Sequence, residues 1–127
     1  ALFKLLTGAE KNCLEPPENF HFCVISARRA TEAEGIRNLW MVQSQFQECG
    51  VNPTWYVDAE SLPAYKKLGL KAVVGGKLTP ARNKAIEDAQ RMKKICVQCS
   101  DDISAWEYRD GDNAADKSDD ACNAAYD

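Results

Sequence analysis

The residues best suited to chemistry lie between Ala72 and Asp102. A short apolar run, Ala72-Val73-Val74, reads as a strand, and Gly75-Gly76 stops it. Thr79 suits an N-cap and Pro80 the first helical position, so a helix is expected from about Pro80 to Met92. Arg82 and Asn83 fall in its first turn, and Lys77 precedes it. Ile95 to Gln98 reads as a further strand, followed by the paired acids Asp101 and Asp102. A helix N-terminus with a cation in its first turn suits a phosphate. Two carboxylates suit a hard divalent cation, Mn²⁺ or Mg²⁺, which can neutralise a diphosphate. Adjacent acids after a strand also serve as a plain solvated turn, and that alternative stays open on these residues alone.

The elements that must position these groups precede them. Phe20 to Ser26 is near-continuously apolar, as a buried parallel strand requires, and Arg28 and Arg29 follow it. His21, the single histidine, falls inside that strand, which favours a packed or edge position over catalysis. Thr31 and Glu34 have capping-box spacing. Ile36, Leu39, Trp40, Gln43 and Phe46 then form a helical stripe with one polar interruption, and Trp40 reads as core. Gly50 ends that helix. Thr54 to Val57 is the next strand, and Asp58 stands where nucleotide-binding sheets place a ribose or base partner, or simply caps a turn. Ser61 and Pro63 open a short helix that Gly69 ends. On the helix after the glycine turn, Ala81, Ala85, Ala89 and Met92 share one face, which requires a close neighbour.

Strand and helix alternate three times, with strands at about Phe20–Ser26, Thr54–Val57, Lys71–Val74 and Ile95–Gln98. That pattern predicts an α/β fold: a Rossmann-like three-layer sandwich around a mainly parallel sheet of about four strands. In such a sheet the ligand lies beyond the carboxyl ends of the strands, where the arginines, Asp58, the glycine turn and the paired acids all fall.

The run Thr79-Pro80-Ala81-Arg82-Asn83-Lys84-Ala85-Ile86-Glu87-Asp88-Ala89, with a strand ending Ser100-Asp101-Asp102, resembles the nucleotide-sugar-binding half of GT-A-fold glycosyltransferases. The Ser-Asp-Asp form is similar to the TET-associated glycosyltransferase-like branch. The resemblance covers roughly residues 20–102 and rests on the order and spacing of the motifs together. It implies a nucleotide-sugar ligand, a UDP-sugar foremost, with Arg28, Asp58, Lys77, Arg82, Asn83 and Asp101 at the donor. It implies a divalent cation on Asp101 and Asp102. Cys99 stands where many members carry the first acid of a longer motif. Members continue past the acidic motif into an acceptor-side half, and no counterpart of it is legible in these residues. Two functions follow: metal-assisted glycosyl transfer as part of a complete enzyme, or a catalytically inactive GT-A-like domain serving as a structural subunit of a larger assembly. A flavodoxin-like or other doubly wound domain with a different ligand is the third reading, weakened because no G-x-G-x-x-G or Walker-type loop is present.

Composition sets the outer limits. The 127 residues suit one domain with a real core, and a net charge of −3 argues against nucleic-acid binding driven by bulk charge. No apolar run approaches the ~20 residues of a membrane span. A start at Ala1 without methionine suggests a processed or trimmed terminus. Three segments are expected: an arm and linker over 1–19, the nucleotide-binding domain over 20–109, and an acidic tail over 110–127. The apolar arm Ala1–Leu6 has room for a short helix and offers a docking surface to its own domain or to a protein partner. Cys96 and Cys99 have the C-x-x-C spacing, but they lie in and after a strand, and no second pair is properly spaced for zinc. An offset of three along a strand points their side chains to opposite faces, so at least four of the six cysteines are expected as free buried thiols.

Overall fold

The computed structural model of the chain describes residues 2–106. The 110–127 tail and Cys122 lie outside the described residues. The chain divides into two compact units. The smaller includes two short helices, α1 (Leu2–Leu5) and α2 (Gly8–Asn12). Among the described residues a capping box is found here, not at Thr31. Thr7 Oγ1 accepts from the Glu10 amide at 3.2 Å, and Glu10 Oε2 accepts from the Thr7 amide at 2.7 Å.

The larger unit, Pro16–Ser104, holds the α/β domain. After a 3₁₀ turn (Pro17–Asn19) it runs β1 (Phe20–Ile25), α3 (Ala33–Glu48), β2 (Thr54–Val57), α4 (Leu62–Lys67), β3 (Ala72–Val74), α5 (Leu78–Met92) and β4 (Ile95–Ser100). The four strands form one fully parallel sheet in the order β3-β2-β1-β4. The helices cover both faces. On one, α3 and α4 bury Leu39, Val42, Phe46 and Tyr65 against Val24, Trp55, Val57 and Cys99. On the other, Ala81 and Ala85 of α5 pack on Cys23 and Tyr56.

Gln43 explains the polar gap in the α3 stripe. Its side-chain oxygen accepts the Trp55 indole N–H at 2.8 Å, and its amide donates to Asn52 at 3.1 Å. A buried indole needs such a partner. Trp40 is not core: it is exposed at 41%, because the buried stripe runs through Leu39, Val42 and Phe46 instead. Met92 likewise leaves the alanine face and is exposed. The two predicted side-chain caps are absent. α3 starts after Glu32 and α5 after Lys77, neither with a side-chain cap, so Thr79 lies inside the first turn and Pro80 one residue after it. Proline is tolerated there because its missing N–H would have had no helical partner.

Ala85 is fully buried beneath the sheet. The Ala85→Leu variant should lose about 1–3 kcal/mol through overpacking, read as a lower urea midpoint at unchanged slope. A leucine accepted without cost would remove small-residue packing as the reason for the α5 spacing.

Among the described residues the cysteines are free. Cys96 packs toward the α5 face and Cys99 toward the α3 face, so the pair neither bridges nor shares an ion. Only Cys23 and Cys99 are buried; Cys13 and Cys49 are exposed, fewer buried thiols than the composition suggests. Among the described residues no helix is long and apolar enough to cross a membrane.

Candidate functional site

Because every strand is parallel, all four carboxyl ends lie on one edge. The chain leaves β1 toward β2 on one side and returns as β4 on the other, so the topological switch point falls between β1 and β4. There Ser26 Oγ donates to Asp101 Oδ2 at 2.5 Å and also contacts the Tyr65 hydroxyl at 2.5 Å. Arg29 Nε meets the same Asp101 oxygen at 3.1 Å. Asp101 is only 7% exposed, so its charge is balanced by the arginine and its lone pairs by the serine.

The turn after β1 is fixed from several directions. Arg28 takes a left-handed backbone conformation, φ 60°, which lets the chain reverse direction over the strand end. Its amide donates to Ser61 Oγ at 3.1 Å, and the Arg29 amide donates to the Tyr65 hydroxyl at 3.3 Å. Ser61 and Tyr65 stand one helical turn apart, so one face of the α4 segment holds two successive amides. From α3, Gly35 approaches the Arg29 carbonyl so closely that a Cβ on it would lie 2.1 Å from that oxygen. Arg28, Arg29, Glu32, Glu34 and Asn38 border a cleft of about 330 Å³ beside this turn.

Asp58 follows β2. One oxygen accepts from the Ser61 amide at 3.3 Å. The carboxyl is held below the usual range chiefly by the Ser61 side-chain hydroxyl, against the opposing effect of burial, with backbone amides and Arg28 adding to it. Its other oxygen, Oδ1, is buried without a hydrogen-bond partner. An unmet buried acceptor is costly. After β3, the Gly75 amide donates to the Val57 carbonyl at 2.8 Å, and a Cβ at Gly75 would sit 2.9 Å from the Ala81 Cβ. Glycine is thus what allows the loop to pass under α5.

The structure therefore joins Arg28, Asp58 and Asp101 through Ser61, Ser26, Tyr65 and Arg29. It leaves Lys77, Arg82, Asn83 and Asp102 exposed on the rim. The Arg82 carbonyl accepts the Gln98 side-chain amide at 2.8 Å, which ties the start of α5 to β4. Ser26, Tyr65 and Gly35 carry no local signal of a site; only the (i, i+4) spacing of Ser61 and Tyr65 hints at a shared role.

The two acids differ as ligands for a divalent cation. Asp101 already faces a guanidinium, and a second cation on the same oxygen would be repelled by it. Asp102 is exposed and accepts only from its own strand, from Ser100 Oγ at 2.5 Å. Among the described residues no group of three or more His, Cys, Asp or Glu side chains could hold an ion. A single exposed carboxylate still fits Mg²⁺ or Mn²⁺ when substrate phosphates complete the shell. Asp102 is the carboxylate left open to such a role, while Asp101 is paired with Arg29.

No protein-family model, curated protein or solved structure matches this chain.

Proposed function

We propose that this domain is the nucleotide-sugar-binding half of a GT-A-like glycosyltransferase, with a UDP-sugar lying across the carboxyl edge of the sheet. The observation that carries the reading is the Ser26–Asp101 bond with Arg29 upon it, at the switch point where an open parallel sheet binds its ligands. The orphaned Asp58 oxygen supports it, since ribose hydroxyls and base N–H groups are the donors it lacks. In this reading Asp58 takes the ribose or base, while Arg28, Arg29, Lys77 and Arg82 face the diphosphate and Asn83 adds a hydrogen bond. Asp102 holds a divalent cation jointly with the phosphate oxygens. The chemistry such a cation supplies is neutralisation of the leaving diphosphate. The chain's own part is to orient the donor and offset its charge through arginines whose turn is already fixed.

The engagement of Asp101 favours one second reading, a catalytically inactive GT-A-like domain used as a structural subunit. Thermal melting separates the two. Millimolar UDP with Mn²⁺ should raise the melting temperature; at a free concentration one hundred times Kd the gain is about 2.7 kcal/mol. Asp102→Asn should remove the Mn²⁺-dependent part, and Arg82→Ala should weaken UDP with or without metal. No shift with either would sink the donor reading and leave the structural one.

A further inference from the structure

The opposite edge of the sheet holds a cluster that the nucleotide reading does not use. His21 is 9% exposed, on the central strand β1. Tyr56 donates its hydroxyl proton to Asp88 Oδ2 at 2.8 Å. Its oxygen lies 2.8 Å from His21 Nε2, so that nitrogen carries the proton and donates to it. The neutral ring therefore presents a bare Nδ1, and no described group bonds it.

His21 borders a cleft of about 320 Å³ at the amino ends of the strands. Phe20 and Val51 give it apolar wall, and Lys71 and Lys94 stand on it just before β3 and β4. Among the described residues neither lysine has an ion-pair partner. Two ammonium groups and a buried imidazole thus share one concave surface with a single carboxylate, Glu18, among its described lining residues. The volume lies at the lower end of small-ligand sites.

We propose that this amino-edge cleft is a second ligand site, taking a small oxyanion, carboxylate or phosphate, between Lys71 and Lys94, with protonated His21 donating from Nδ1. The proton comes from solvent as the anion binds. Without an anion the His21 pKa is lowered: burial is the main cause, opposed by Asp88 and reinforced by Lys71, Lys94 and Arg91. Its other titratable neighbours are Tyr56 on β2, Cys96 in register on β4, and Glu18 on the cleft rim. An anion between the lysines cancels their repulsion and favours the charged ring. The inference is independent of the nucleotide site, which lies at the other end of the strands.

Because the chain has one histidine, its imidazole resonance reports the site directly. The full chain is titrated with sulfate, and separately with acetate, between pH 5.5 and 8, where sulfate keeps its charge and acetate is mostly ionised. Saturable shifts are expected, with the His21 titration midpoint raised and sulfate bound about tenfold more tightly at pH 5.5 than at pH 8. Sulfate binding tighter than acetate assigns a phosphate-type group; the reverse assigns a carboxylate. The Lys71→Gln/Lys94→Gln double variant changes only exposed side chains, so it keeps the fold and should lose saturation. His21→Gln should keep weak binding without pH dependence. Non-saturating shifts with both probes, pH-independent binding to the native chain, or unchanged binding in the double lysine variant overturns the proposal.

Discussion

Trp55→Ala should lower the unfolding free energy by about 3–5 kcal/mol, the largest effect expected of any single change in the domain. The side chain is fully buried on β2, between α3 and the rest of the sheet. Its removal leaves a cavity, strips Tyr65 of its ring neighbour 6.2 Å away, and leaves the Gln43 oxygen without its indole donor. Domains of this size hold only about 5–15 kcal/mol in total, so the variant should stand close to unfolding at 37 °C. Trp55→Phe restores much of the volume but not the hydrogen bond, and should recover about half of the loss. Urea melts of the three proteins check the order. Equal midpoints would mean that the α3 face is not the principal core.

The second large effect is expected at a residue with no side chain. Gly35→Ala places a methyl carbon 2.1 Å from the Arg29 carbonyl oxygen, a contact between two backbones that no rotamer can relieve. Either α3 or the Arg28–Arg29 turn must move. The expected cost is about 1–3 kcal/mol in stability. The Arg29–Asp101 pair should open as well, and on the proposed donor reading UDP affinity should fall by about tenfold or more, since misplaced cations lose their orientation at the ligand. Arg37→Ala, an exposed change on the same helix, should stay within about 0.5 kcal/mol and leave UDP binding unaltered. A Gly35→Ala protein that melts and binds like the native chain would show that α3 does not set the turn.

Much of the architecture is legible from local pattern. The apolar run at β1, the β-rich Thr54–Val57, and the glycines after α3 and α4 mark their elements because each signal is confined to a few residues. The alanine spacing of α5 likewise shows its buried face. The start of α4 at Ser61 is legible, but the N-caps of α3 and α5 are not: Thr31 and Thr79 have the right side chains, yet the helices start after Glu32 and Lys77. The site was half visible. Arg28, Asp58 and Asp101 follow from their position after strands. The network that fixes them does not, since Ser26 reaches its partners across 39 and 75 residues of sequence. Such distances leave no periodicity to read. Nor does sequence show that Arg29 meets Asp101 and so separates the roles of two adjacent acids.

The position of β1 between β2 and β4 also governs how the chain can fold during synthesis. Phe20 pairs with Ile95, so one side of the central strand stays open until 75 further residues have been made. At ordinary ribosomal speeds that interval is about 4–15 s, far longer than hydrophobic collapse takes. Once β2 has been made, Val24 can pair with Trp55 on one flank, and the other flank stays open until β4 follows. Every pairing in the sheet is parallel and non-local, which places the domain among slow folders. A nascent chain stalled before Ile95 would present an open apolar strand to whatever binds such strands first, a chaperone or another nascent copy.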